Sequence, residues 1–349
     1  MGTEFFMKMR EKAMRKGICV AGNMVVDITY PIVRWPKQSE LTTISGEITR
    51  SVGGAVCNVV ADLARMDQKL PLTALGVIGQ DREGDYIREQ LDNYPNVDQS
   101  FLRRKGTTSF TAVMSDNETK SRTFFHYRGS NTFFDETCID WERMNAEILH
   151  VGYLLLLDAL DQEDDVYGTK MGGLLAKAQS MGIRTSIDVV SESGRRFQKL
   201  VPPALKYTDY CIINELEAQQ ITGVTLRDEE GILYPEHMLQ ALEKMKEMGV
   251  ALWAVVHCPE GSYGLDEADN YSCVRSLQLP KDYIKGTVGA GDAFCAGVLY
   301  GGYKKWSLKK SMHLGTCAAA ASLGETGATE GLCSVEQVLQ LEQKYGKEV

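Results

Sequence analysis

Apolar positions along this chain follow two rhythms. Residues 18–27 form a buried-strand pattern that ends in a carboxylate, and 41–50 alternate briefly between apolar and polar. A glycine pair, Gly53-Gly54, then opens a stretch (55–66) with apolar residues at helical spacing. Residues 72–77 read as a strand and 84–91 as a helix, and 109–115 and 122–127 read as β ribbons around a polar turn. From residue 148 the rhythm becomes strand then helix, repeatedly. Strands are expected at 148–155, 184–190, 210–214 and 251–257, with helices at 168–181, 215–222 and 235–248. Such alternation implies a parallel sheet covered on both faces. A further helix is expected from the 289–300 stretch, then an alanine-rich one at 308–322, then a terminal one from Ser334. The fold expected is α/β in three layers, with a mostly parallel central sheet, helices on both faces and a small β lid. Residues 17–349 are expected to form one domain, with lid strands from about 30–50 and 107–130. Residues 1–16 are set apart as an N-terminal extension or expression scar, with Met7 or Met14 nearer the natural start. They lack the apolar segment and cleavage site of a signal peptide.

Composition narrows the functional classes. Of 349 residues 44% are apolar, enough for a substantial core, and 38 basic against 47 acidic residues leave a net charge of −9. That balance argues against nucleic acid and anionic membrane as partners. The short basic clusters, Arg103-Arg104-Lys105, Arg195-Arg196 and Lys304-Lys305, read as solvated faces. Nine scattered cysteines with no C-x-x-C pair point to reduced thiols, and five histidines without H-x-x-x-H spacing argue against a transition-metal site. No apolar run approaches the roughly 20 residues of a membrane-spanning helix. A cytoplasmic location is expected.

The stretch Lys285-Gly286-Thr287-Val288-Gly289-Ala290-Gly291-Asp292-Ala293-Phe294 is the most informative. Small residues that run into a helix present free backbone N–H groups, aided by the positive end of the helix dipole, to an anion. Asp292 adds a carboxylate beside that anion hole. On the residues alone it is either the cap of the helix or a general base for an attacking hydroxyl. A Walker A loop is absent, and the dinucleotide fingerprint would need glycine where Phe294 stands.

The stretch 287–297 (TVGAGDAFCAG) resembles the C-terminal signature of the ribokinase-like, or pfkB, carbohydrate kinases. Gly53-Gly54-Ala55-Val56-Cys57-Asn58, followed by Gly76-Val77-Ile78-Gly79-Gln80-Asp81 and Gly84, is similar to their N-terminal signature, and the resemblance spans roughly 17–345. It implies a kinase that uses ATP and Mg2+ to phosphorylate a sugar or sugar-like hydroxyl. By that resemblance Asp292 is the catalytic base, and Gly289, Ala290 and Gly291 form the anion hole. Asp27 would hold sugar hydroxyls from the end of the first strand, with Gly53, Gly54 and Asn58 completing the pocket. Asn214-Glu215-Leu216-Glu217 matches an N-x-x-E motif, in which Glu217 would hold magnesium indirectly and Asn214 face the phosphates. Thr287 and the Gly261–Gly264 turn, including both of those glycines, would border the nucleotide.

Departures also carry information. Gly286 stands where the family usually has aspartate, which puts a monovalent-cation site in question but not the base. Val25 replaces an asparagine common in ribokinases proper. Asp188 lacks the family's following Asn and Arg and is left outside the catalytic set, and Arg122, His126, Tyr127 and Arg128 read as a solvated lid face. The remaining readings are a nucleoside kinase of the same fold and a non-catalytic sugar- or nucleotide-binding regulator. Free lid edges suggest a homodimer through the lid.

Overall fold

The computed structural model describes residues 15–119, 121–191 and 196–346. Of the segment set apart from the fold, residues 1–14 lie outside that range, as does Arg195 of one basic cluster. Arg15 donates from its guanidinium to the carbonyls of Met144 and Met181, and Lys16 N–H to the carbonyl of Asn145.

β1 (Ile18–Gly22) lies third from one edge of a nine-stranded sheet. The other strands are β4 (Leu72–Ile78), β5 (Val97–Arg104), β8 (Ile148–Leu154), β11 (Arg184–Val189), β12 (Tyr210–Asn214), β13 (Trp253–Cys258), β14 (Gly261–Leu265) and β15 (Tyr271–Arg275). Their order is β15-β14-β13-β12-β11-β8-β1-β4-β5. All neighbours pair in parallel except β13–β14 and β14–β15, which pair antiparallel.

Side chains alternate across a strand, so each strand feeds two cores. Cys19 and Ala21 pack on one face beneath α3 (Lys170–Ser180), α4 (Phe197–Leu205), α5 (Glu215–Thr222) and α6 (Met238–Glu247). Ile18 and Val20 pack on the other face, against α1 (Gly54–Met66), α2 (Arg82–Leu91), α7 (Ala290–Tyr303), α8 (Leu308–Leu323) and α9 (Val335–Tyr345). Both cores are contiguous, as the expected three layers require.

A second sheet of four strands rises from this body in the order β3-β2-β6-β7. It consists of β2 (Val25–Ile32), β3 (Thr49–Gly53), β6 (Phe110–Asp116) and β7 (Arg122–Tyr127). A two-residue ladder of β9 (Glu163–Asp164) and β10 (Gly168–Thr169) leads into α3.

Several expected elements differ. The run 18–27 is two strands, because the chain leaves the central sheet after Gly22 and re-enters the small one at Val25. Asn131 holds that crossing on both sides: its Oδ1 accepts from Met24 N–H at 3.1 Å and its Nδ2 donates to Met24 O at 3.0 Å. Within 41–50 only the bridge Ile32–Ile44 and the start of β3 form. β5, β14, β15 and α4 were not anticipated. β5 is a polar edge strand (VDQSFLRR), β14 carries two glycines, and α4 contains Pro202-Pro203. Each of those features signals a loop in the sequence. Arg128 is no solvated lid residue: its guanidinium donates to Leu155 O at 3.0 Å and to Asp158 Oδ1 at 2.7 Å.

Candidate active site

The parallel strands β8, β11, β12 and β13 end side by side, and Tyr153, Asp188, Asn214 and His257 stand near those carboxyl ends. In open α/β sheets ligands bind at this edge. Here the four residues join Ser191, Glu217, Gly291 and Asp292 around a polar cavity of about 320 Å³. A second, larger cleft of about 550 Å³ shares Asn214, His257 and Gly291 with it. Its other walls are mostly apolar and include Leu277, Ile284, Phe294, Ala319 and Leu323.

α7 begins where the two spaces meet. Gly289 is the residue before its first turn, with φ of 81° in the left-handed region, and a Cβ there would lie 2.3 Å from the carbonyl oxygen of Ala328. Only glycine fits both demands. The amides of Ala290, Gly291 and Asp292 thus begin a helix with no side-chain cap, so they remain available to an anion.

Asp292 itself is not the cap. It lies in the first turn with its side chain turned sideways, where Asn58 Nδ2 donates to Oδ2 at 2.8 Å and the Tyr153 hydroxyl donates to Oδ1 at 2.7 Å. Burial raises the pKa of this carboxyl above the usual range, and the two donors act against that rise. A carboxylate held at two atoms beside a set of free amides can accept a proton from an alcohol placed between them.

Asn58 therefore faces the base, to which its amide donates. It sits in the second turn of α1, a helix that starts at Gly54 with φ of 85°. Asp27 lies in the middle of β2, in the small sheet, and not at the end of β1. Ser51 and Thr111 are its cross-strand neighbours. A Cβ on Gly53 would come within 2.5 Å of Asp27 Oδ2, so the absent side chain is what admits that carboxylate. Burial raises the Asp27 pKa, opposed by a bond from Thr111, whose hydroxyl also lies 3.1 Å from His126 Nδ1. Asp27 lines neither of the two cavities; Gly53 beside it leads directly into α1 and so to Asn58.

Asn214 caps α5 through a reciprocal box. Its Oδ1 accepts from Glu217 N–H at 2.9 Å, and Glu217 Oε2 accepts from Asn214 N–H at 3.0 Å. Ser191 donates to Glu217 Oε1 at 2.7 Å and accepts from Asn214 Nδ2 at 2.9 Å. Burial pushes the Glu217 carboxyl up to about 7. It also pushes the Asp188 carboxyl well up, with Glu217 and Asp292 adding like-charge repulsion. His257 is held neutral by burial, its pKa lowered to about 4, and its ring lies 4.8 Å from that of Phe294.

Of the residues expected at the nucleotide, Thr287 and Gly261 line the apolar cleft. Gly264 does not. The stretch around it is strand β14 and not a turn, and a Cβ at Gly264 would press on Leu308 and Met312 of α8, so it serves packing. Gly286 abuts Glu325 and Thr326: a Cβ there would lie 3.0 Å from Glu325 O. Sequence reasoning missed Tyr153, Ser191 and His257, and set Asp188 aside. The readable signal was positional, since three of the four stand near the ends of expected parallel strands.

Fold and cleft together define an α/β protein whose candidate site lies at the carboxyl edge of a parallel sheet. Residues 16–334 match the model of the pfkB family carbohydrate kinases, and the chain belongs to that family. It is a carbohydrate kinase. It is 26% identical over 262 residues to an uncharacterized sugar kinase of Archaeoglobus fulgidus, covering 74% of this chain and 93% of that protein. It is 22% identical over 336 residues to the 5-dehydro-2-deoxygluconokinase of Geobacillus thermodenitrificans, covering 92% and 91%. The structure of Arabidopsis thaliana ribokinase complexed with ribose and ATP has the same fold, with a TM-score of 0.75 at 22% identity over 94% of this chain and 99% of that one.

Proposed function

We propose that this kinase transfers the terminal phosphoryl group of ATP in line to a hydroxyl of a sugar or sugar-like small molecule, with Asp292 as the base. The observation that carries this reading is the position of Asp292, buried at the amide-lined start of α7 and fixed by Asn58 and Tyr153. As the hydroxyl oxygen attacks phosphorus, its proton passes to Asp292, and the amides of Gly289, Ala290 and Gly291 stabilise the charge that builds on the transferred group. The apolar cleft bordered by Thr287 and Gly261 takes the adenine, and Asn214 faces the phosphates.

The donor set fits magnesium, a hard cation that keeps several waters. Glu217 spends an oxygen on each of two donors of its own chain, which suits contact through water more than direct ligation. When bound, the ion would neutralise charge between the phosphates. Asp27, with Gly53 and Gly54, would hold substrate hydroxyls from the lid as it closes and excludes water. The lid also presents an exposed stack of Trp35 on Phe125 and an edge strand, β7, exposed along its length. A second copy of this chain covering them would form a homodimer. We place the enzyme in the cytoplasm, in keeping with its nine free cysteines.

The test is turnover across pentoses, hexoses, sugar acids and nucleosides, with wild type and Asp292→Asn side by side. The variant should lose at least about a hundredfold in kcat on the best acceptor while binding it nearly as well. Near-normal turnover would remove Asp292 from the mechanism.

A further inference from the structure

We propose that Asp62, sealed in α1 behind the base, acts as a neutral carboxylic acid that donates its proton to Asn58 Oδ1. It thereby fixes the amide that holds Asp292. This rests on the reading of Asp292 as the base, but the arrangement is visible without it. α1 is buried along nearly its whole length, and Asp62 has no exposed surface. Neither of its carboxyl oxygens has a donor. Asn58, four residues earlier, lies one turn away on the same helical face. Its Nδ2 is committed to Asp292, while its own Oδ1 is buried without a donor.

Three acceptor atoms without donors, one turn apart, are costly if all remain acceptors. A single proton on Asp62 changes that: the acid donates, and Asn58 Oδ1 accepts. The consequence reaches Asp292. An amide has nearly the same shape in either flip, and the wrong flip would turn its oxygen onto the Asp292 carboxylate. A donor at Oδ1 selects the productive one. The charged and titratable groups around Asp62 favour the neutral form. Asp292 on α7 and Glu330 in the loop before α9 oppose a second negative charge, while the Cys295 thiol on α7, pushed well up by burial, stays neutral. Arg65 on α1 favours it, but its Nε already donates to the Tyr94 hydroxyl at 3.2 Å. Burial comes first among these influences and pushes the Asp62 carboxyl well above its usual range. Asp62 is thus a positioning residue that acts through Asn58.

Two variants separate the roles. In Asp62→Asn the new amide can still donate to Asn58 Oδ1, so kcat should stay within about threefold of wild type. Asp62→Leu fills similar volume without a donor, and kcat should fall about ten- to a hundredfold with KM for both substrates little changed. Thermal unfolding supplies a readout independent of turnover. The native acid keeps a proton that the unfolded chain has released, so wild-type stability falls as pH rises above the ordinary carboxylate range. Asparagine does not titrate. The melting temperature of Asp62→Asn relative to wild type should therefore climb between about pH 5 and pH 8.

The proposal is overturned if Asp62→Asn loses as much activity as Asp62→Leu, or if Asp62→Leu is fully active. It is also overturned if the melting difference is flat with pH, or if potassium stabilises wild type but not Asp62→Asn, which would make the site a cation site. Should Asp62→Leu fail to fold, the pH-dependent melting of Asp62→Asn decides alone. A failed Asp292→Asn test would leave that melting behaviour standing, so the two ideas fall separately.

Discussion

The two cavities that meet at Asn214, His257 and Gly291 are built on different principles. The polar one is walled by residues near strand ends, and two of its three carboxyl groups are held atom by atom: Asp292 by Asn58 and Tyr153, Glu217 by Ser191 and Asn214. The apolar one is shaped mainly by side chains such as Ala319 and Leu323 of α8 and Phe294 of α7. Burial raises every carboxyl in the first, whereas the one carboxylate lining the second, Glu215, is paired with Arg227. A hydrogen-bonded wall should therefore respond to the loss of a single atom. A packed wall should respond to volume, by degrees.

The hydrogen-bonded side offers the larger effect. Glu217→Gln keeps the box at the start of α5, because the amide oxygen can accept from Asn214 N–H while its nitrogen donates to Ser191. The charge is lost, and with it the acceptor of the Ser191 hydroxyl. Apparent magnesium affinity, read from the metal dependence of turnover and from Mn2+ binding, should weaken about ten- to a hundredfold. An unchanged affinity would mean that this wall does not serve the ion.

On the packed side, Ala319→Leu pushes three heavy atoms into the cleft from a residue that is only partly buried. KM for ATP should rise, by about tenfold at most, while kcat and sugar KM stay near wild type. A fall in kcat without a change in KM would show that the cleft does more than receive a base.

The contrast also explains what the sequence made legible. Strands buried on both faces are continuous apolar runs, so the central sheet could be read from β1, β8, β11, β12 and β13. The exposed edge β5 and the glycine-bearing β14 carry no such signature. Local motifs were equally plain: the small residues before Asp292 and the Asn214–Glu217 spacing each lie within one turn of chain. The partners of Asp292 were not, for Tyr153 lies 139 residues away and Asn58 lies 234. An asparagine inside an apolar helix announces only that it needs a partner. Which partner it finds depends on how α1 packs against α7. The apolar cleft was hardest to read, because alanines on α8 look the same whether they face a core or a ligand.

The smallest effect should come from the hydroxyl of Tyr153, and it bears on both sides of the comparison. Tyr153 keeps its proton, since burial and the Asp292 charge push its own pKa well up, so it is always the donor in this pair. The bond is stronger to the ionised form of Asp292, so it lowers a pKa that burial has raised. For a base the acid limb of kcat/KM marks protonation of the free enzyme. That limb should lie above the ordinary carboxylate range in wild type. Tyr153→Phe removes a donor that favours the charged form, so the carboxyl becomes a weaker acid and the limb moves to higher pH. At alkaline pH, where Asp292 is ionised in both proteins, the rates should nearly converge. KM for ATP should not move at any pH, because Tyr153 lines only the polar cavity. A limb that stays in place, or one that shifts to lower pH, would mean that the phenol is not setting the charge of the base.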